Sequence, residues 1–227
     1  AGSEPTTTAR KLSSLRSFFK FLVREEYVGE NPFAGLSGPK RGRKLPVILS
    51  LAEVKRLLLR VKDPCLRMCL TMIYSCGLRL REGTRLQVRD IHSSRMLIHI
   101  RNGKGGKDRY VPLPQRTLEL LRTYWVQERP SPWLFPNKRE ADRPLGREQP
   151  YHALKAVLRK SKIDKDVSVH TLRHSYATHL LEAGVNLRVI QEILGHKSPK
   201  TTAIYTHLTP KVLAGLQTTI NELMAPL

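Results

Sequence analysis

The stretch Thr201-Thr202-Ala203-Ile204-Tyr205-Thr206-His207 follows Leu194-Gly195-His196, and His170-Thr171-Leu172-Arg173-His174 lies 35 residues before Tyr205. Far upstream stand Gly77-Leu78-Arg79, with Glu82 one turn further on, and Gly103-Lys104-Gly105. Together they supply a phenol, two guanidiniums, an ammonium and two imidazoles. A phenol ionises near pH ~10 in water, so Tyr205 needs a base or strongly cationic surroundings to act as a nucleophile near neutrality. Arg79 and Arg173 can each grip non-bridging phosphate oxygens in a fork, which lysine cannot do. Their charge would meet the negative charge that builds in the transition state. Lys104, at a hairpin tip, is the candidate acid for a departing 5′-hydroxyl. His170 is spaced to share a helix face with Arg173 and could relay the phenol proton. His196 could hydrogen-bond the phosphate. The set suits breakage of a DNA phosphodiester by a bond from tyrosine to phosphorus.

Outward from these motifs, Met96–Arg101 and Arg109–Leu113 are β-rich runs joined by a Gly-rich turn over 102–108, which predicts a hairpin. Upstream, Ser50 and Glu53 form a capping-box pattern, Asp63-Pro64 opens a second helix, and Gly77 closes it. A short helix is expected after Arg79. From about Leu118 onward the chain reads as mainly helical, with Gly184 and Gly195 as stops and Pro199 and Pro210 as starts. Leu12, Leu15, Phe18, Phe19 and Leu22 place an amphipathic helix over residues 6–25. The expected fold is mainly α with a small three-stranded antiparallel β-sheet. Gly38-Pro39-Lys40-Arg41-Gly42-Arg43-Lys44 reads as a basic linker, so residues 1–44 and 45–227 are expected as two domains. Arg41, Arg43, Lys44, Arg81, Arg101 and Lys107 are candidate DNA-backbone contacts, a solvated charged face being the default for each. Ala1-Gly2-Ser3 reads as a cloning remnant.

Lys and Arg number 40 against 19 Asp and Glu, a formal charge of +21. Such a surplus favours a polyanionic partner, without choosing by itself between DNA, RNA and an anionic membrane. Hydrophobic residues reach 40%, enough for a core. Cys65, Cys69 and Cys76 share a helix face and lack zinc-finger spacing, so they read as core residues of a reducing compartment. No segment has the length of a membrane span and no secretory signal is visible. A cytoplasmic protein is expected.

From Pro46 to Tyr205 the motifs resemble, in type and in order, the tyrosine recombinase (phage integrase-like) family. The resemblance implies Arg79, Lys104, His170, Arg173, His196 and Tyr205 as catalytic residues, with Glu82 in support. It implies the family's catalytic-domain fold and a site-specific recombinase that forms a covalent 3′-phosphotyrosyl intermediate without metal, ATP or cofactor. It also implies a double-stranded DNA site, a dimer on each site and a tetrameric synapse. Arg10-Lys11-Leu12-Ser13-Ser14-Leu15-Arg16-Ser17-Phe18-Phe19 resembles the closing part of the core-binding domain of Xer-type recombinases, whose first helices are expected to be absent here. The short step from Lys104 to His170 places the chain nearer Xer-like and transposon-borne relatives than integron integrases. Leu213, Leu216, Ile220, Leu223 and Met224 form an apolar stripe on a C-terminal helix over 210–224. That stripe can dock on a neighbouring protomer or pack on its own domain.

No Ser or Thr follows Lys107, which argues against a nucleotide-binding P-loop. His170 and His174 have zinc-binding spacing, but Arg173 between them would repel a metal. His174, His179 and His207 read as hydrogen-bonded structural residues, and Trp125, Trp133 and Phe135 as core. Acidic residues are sparse around 79–109, against a two-metal nuclease. A topoisomerase IB-like relaxing enzyme, and a non-catalytic DNA-binding protein on the same fold, remain as alternatives.

Overall fold

The computed structural model describes residues 5–39, 46–101, 103, 108–195 and 210–227, with side chains for all of these but 5–6 and 210–214. It divides into two compact units, Ala1–Leu45 and Pro46–Leu227. In the first, α1 (Pro5–Arg24) is held by a short return of chain. Phe19 packs on Phe33 with ring centroids 5.1 Å apart. The Arg16 Nε donates to the Phe33 carbonyl at 2.9 Å, and Asn31 Nδ2 donates to the Arg16 carbonyl at 3.1 Å. Of the expected apolar stripe, Leu12, Phe19 and Leu22 are half-buried, whereas Leu15 and Phe18 stay exposed.

The second unit is built around one helix. α2 (Leu51–Arg60) opens on the capping box, with the Ser50 N–H donating to Glu53 at 2.7 Å and the Glu53 N–H to Ser50 Oγ at 3.2 Å. α3 (Pro64–Ser75) starts on Asp63, which accepts from the Leu66 N–H at 2.9 Å, and on Pro64, which has no N–H to leave unpaired. Residues Met68 to Ser75 are buried all round, as expected of a helix at the centre of a core. α4 (Leu80–Thr84) follows α3 directly. α5 (Gln115–Glu128), α6 (Glu148–Arg159) and α7 (Val169–Glu182) complete the shell, and α2, α4, α5, α6 and α7 all pack against α3. Cys65, Cys69 and Cys76 are free and buried within it. Burial pushes the Cys65 thiol up to about 11 and the Cys76 thiol to about 12, so both stay protonated and inert.

The sheet is antiparallel in the order β1 (Ile91–His92), β2 (Leu97–Ile100), β3 (Arg109–Pro112). Ile98 pairs with Val111 and Ile100 with Arg109. All four are buried, so Arg109 stands on the core face of the sheet. The opposite face carries His99 stacked on Tyr110 at 4.8 Å.

Two expectations are corrected. Residues 129–147 are not helical. Pro130, Pro132, Pro136 and Pro144 break the amide ladder there. The stretch is pinned instead by the Leu134 N–H to the Leu86 carbonyl and the Leu145 N–H to the Phe135 carbonyl, each 2.8 Å. Phe135 is core, but Trp125 is 39% exposed, with Arg129 4.2 Å above its ring. α8 (Leu187–Leu194) and α9 (Pro210–Met224) close the unit. On α9, Leu216, Ile220 and Met224 are buried against its own domain, beside α5 and α7. Asn221 accepts from the Gln115 N–H at 2.8 Å and Gln217 donates to the Leu113 carbonyl at 2.8 Å. The side chain of Leu213 lies outside the described residues.

A candidate phosphate site built on three arginines

Gly77, at φ +60°, turns the chain out of α3. A Cβ there would sit 2.6 Å from the Tyr176 ring and 2.8 Å from Leu194 Cδ2, so the bare backbone lies directly against α7 and α8. Leu78 then enters the core and Arg79 becomes the residue before α4. Glu82, one turn on, accepts the Arg79 N–H at 2.8 Å and Arg79 Nη1 at 2.7 Å.

Arg173 reaches the same place from α7. It is buried, and it donates through Nη1 to the Gly77 carbonyl and through Nη2 to the Leu194 carbonyl, each at 2.5 Å. Its Nη1 lies 3.9 Å from Glu82 Oε2. The structure therefore brings Arg79, Glu82 and Arg173 into one cluster. It adds a residue the sequence reading did not single out. Arg109 grips Glu82 in a fork, Nη1 to Oε1 and Nη2 to Oε2, both 2.8 Å, and its Nε donates to the Ile193 carbonyl at 3.1 Å.

The cluster closes on the end of α8. Three successive carbonyls, Ile193, Leu194 and Gly195, are taken by Arg109, Arg173 and Arg79 respectively, the last at 2.6 Å. A helix C-terminus leaves carbonyls unpaired and carries partial negative charge, so cations stabilise it. Gly195, at φ +62°, ends the helix and is the last described residue before the segment holding His196 and Tyr205.

Burial alone would raise the Glu82 pKa, but the hydrogen bonds and charge of Arg109, then the hydrogen bonds of Arg79, hold it at about 2. Burial first, then the nearby charge of Arg79, lowers Arg173 to about 10, which leaves it a cation at neutral pH. Three guanidiniums therefore face one carboxylate, and two positive charges remain for an outside anion among the described residues. The Arg79 side chain is 21% exposed against 7% for Arg173, so the opening lies on the Arg79 side. A dianionic or monoanionic phosphate oxygen group matches that surplus.

His170 sits exposed in the first turn of α7, after the Ser168 cap, whose Oγ accepts the Thr171 N–H at 3.3 Å. Arg81 is exposed. Arg101 is partly buried and its guanidinium is paired with the buried Asp90 through both Nε and Nη2. Lys104, Lys107, His196, Tyr205, Arg41, Arg43 and Lys44 lie outside the described residues. His179 is structural, as its surroundings require. Its Nε2 faces the Leu49 carbonyl at 2.9 Å and must donate, so Nδ1 accepts from the Tyr74 hydroxyl at 2.9 Å. Ser175 Oγ accepts the Leu49 N–H at 2.9 Å, which fastens the entry of the second unit to α7.

A family model described as the phage integrase family matches residues 48–211. The chain is 42% identical over 211 residues to a putative integrase/recombinase y4qK of Sinorhizobium fredii (strain NBRC 101917 / NGR234), covering 92% of this chain and 67% of that one. It is 38% identical over 211 residues to a tyrosine recombinase of Thermosipho africanus (strain TCF52B), covering 89% and 72%. Among solved structures, the XerH site-specific recombinase bound to its difH substrate before cleavage superposes with a TM-score of 0.59 at 27% identity. That match covers 76% of this chain and 54% of XerH.

Proposed function

Because the chain belongs to the phage integrase family of tyrosine recombinases, we propose that it cleaves and rejoins DNA strands through a covalent 3′-phosphotyrosyl intermediate at Tyr205. The Tyr205 oxygen attacks phosphorus while the bond from phosphorus to the 5′ oxygen breaks. The departing oxygen takes a proton from Lys104 and leaves as a free 5′-hydroxyl. The phenol proton passes to His170. Arg79 and Arg173 bind the non-bridging oxygens, His196 donates to one of them, and Glu82 holds Arg79. The product link is still a phosphodiester, so a second 5′-hydroxyl can attack it, reverse the proton movements and release the tyrosine. The bond energy is conserved, and strand exchange by this route consumes no ATP.

The observation that carries this reading is the arginine cluster. Among the described residues it holds two uncompensated positive charges at the end of α8, immediately before the segment that contains Tyr205. Both oxygens of Glu82 are filled by guanidinium donors, so this carboxylate acts as a clamp and not as a metal ligand. The partner on this reading is double-stranded DNA, in keeping with the +21 charge and with the substrate-bound state of XerH. The first unit is read as the end of a core-binding domain, with Arg41, Arg43 and Lys44 along the backbone. Two protomers on each site and four in a synapse belong to this reading. Assembly through α9 would require its buried stripe to leave its seat on α5 and α7. No helix among the described residues is long and apolar enough to cross a membrane, and the proposed site of action is the nucleoid.

The test is a labelled pool of nicked duplexes of randomised sequence, incubated with the chain and resolved on a denaturing gel. Wild type should trap covalent adducts and Tyr205→Phe none. Adducts that persist in Tyr205→Phe would remove Tyr205 from the mechanism.

A further inference from the structure

We propose that Arg109 is a positioning residue of the cleavage site, tying the turn end of the β2–β3 hairpin to Glu82 and to the end of α8. The proposal rests on the reading of the arginine cluster as the cleavage site. Its first support is location. Arg109 occupies a core-facing position of the sheet, opposite Ile100, where its side chain is 8% exposed. A charge in such a place is costly unless fully paired. Here all three guanidinium nitrogens are engaged, two with Glu82 and one with the Ile193 carbonyl. The Arg109 charge is thus met in a fork by the Glu82 carboxylate, whereas both Nη atoms of Arg173 hydrogen-bond only to neutral carbonyls.

The second support is how Glu82 is shared. Oε1 accepts Arg79 Nη1 and Arg109 Nη1, while Oε2 accepts the Arg79 N–H and Arg109 Nη2. Four donors from two arginines fix the carboxylate plane, and that plane fixes Arg79. Without Arg109 the carboxylate is free to turn toward Arg173, already 3.9 Å away, and to draw it off its carbonyl partners. Arg109 is also the largest influence opposing the burial that would otherwise raise the Glu82 pKa.

The third support is Gly195. A Cβ there would lie 3.1–3.3 Å from Nε, Cδ and Cζ of Arg109, so the guanidinium lies flat against a backbone without a side chain. Arg109 is the first residue of β3 after the turn that contains Lys104, and α8 leads into the segment with His196 and Tyr205. One guanidinium therefore anchors the chain at the end of the turn that carries Lys104 and at the start of the segment that carries His196 and Tyr205.

The experiment compares wild type, Arg109→Met and Arg109→Lys on duplexes recovered from the wild-type adduct pool. It measures DNA binding, single-turnover adduct formation from pH 5 to 9, and melting. Arg109→Met should bind DNA within about threefold of wild type but form adducts about 100-fold more slowly, the scale on which misplaced reacting groups lose rate. Its rate should also fall more steeply toward acid pH than that of wild type, because Glu82 without the Arg109 fork takes up a proton at higher pH. Arg109→Lys should restore part of the acid-side rate and of the melting temperature, but not the full rate, since it has neither the fork nor the Nε bond. An Arg109→Met rate within twofold of wild type, or a loss matched by lost DNA binding with an unchanged pH profile, overturns the proposal. If Arg109→Met does not melt cooperatively, Arg109→Lys decides, and a wild-type rate in that variant overturns it. Wild type that forms no adduct on any duplex rejects the cleavage reading itself, which separates that failure from one confined to Arg109.

Discussion

Glu82 and Glu192 are both buried carboxylates, and their surroundings drive them in opposite directions. Glu82 meets three guanidiniums, and its pKa falls to about 2. It therefore adds stability that is complete above its unfolded pKa of 4.5 and is lost as pH falls toward 2. Neither oxygen of Glu192 has a hydrogen-bond partner among the described residues. Burial raises its pKa, and the charge of Arg188 only partly opposes this. A carboxyl raised in the fold favours folding below its unfolded pKa of 4.5, and that contribution is lost as pH rises through the folded value. At neutral pH Glu192 is thus a liability. Glu192→Gln should be more stable than wild type at pH 8, because the amide carries no charge to desolvate. The gain should vanish as pH approaches 4, where the glutamic acid is neutral. Thermal melts across that range measure it, and equal melting temperatures at pH 8 would show that Glu192 is compensated.

At the scale of elements, the site exists because two helix ends meet the middle of a third helix. The turn after α3, the middle of α7 and the end of α8 converge where Gly77 touches Tyr176 and Leu194. Arg173 then joins the carbonyls of Gly77 and Leu194, so packing and polar pairing act on the same three elements. Gly77→Ala both strains a left-handed residue and drives a methyl into the Tyr176 ring. It should cost about 2–4 kcal/mol, the sum of a φ penalty and an overpacking penalty. Urea unfolding midpoints test this, and a cost under about 0.5 kcal/mol would mean that the contact relaxes freely. The helix starts that frame this meeting point were legible in the sequence. Ser50 with Glu53 and Asp63 with Pro64 are short-range devices, complete within four residues, and the backbone obeys them. The non-helical stretch 129–147 was not legible. Its pairing partner, Leu86, lies far back in the chain, and its prolines mark a break without saying what replaces the helix.

For the whole molecule, a formal charge of +21 over 227 residues sets a long-range field that the cluster around Glu82 only focuses. DNA affinity should fall linearly on a log–log plot against salt. If six or more phosphates are neutralised, it should drop about 1,000-fold or more between 50 and 200 mM. Filter or anisotropy titrations check the slope, and a flat response would mean that the phosphates do not dominate the interface. The same surplus explains why composition pointed to a polyanion yet could not say which basic residues matter. Arg101 illustrates this. In sequence it is one more cation beside the hairpin, and in the fold its guanidinium is paired with the buried Asp90.

The order Arg79, Lys104, His170, Arg173, His196, Tyr205 and the alternation of helical and β-rich runs stand in the chain itself. Motif order and local periodicity need no tertiary contact to be read, and they suffice for the family and the mainly helical class with its small sheet. Where α9 would place its apolar stripe was open until the fold seated it on α5 and α7. The part played by Arg109 was likewise closed to sequence. An arginine opening a β-run looks the same whether water or a carboxylate receives it, and 40 basic residues offer many such candidates. Only burial distinguishes them. When β3 folds its first residue into the core, its cation must find an anion and a carbonyl there, and Glu82 and Ile193 are what the assembled helices provide.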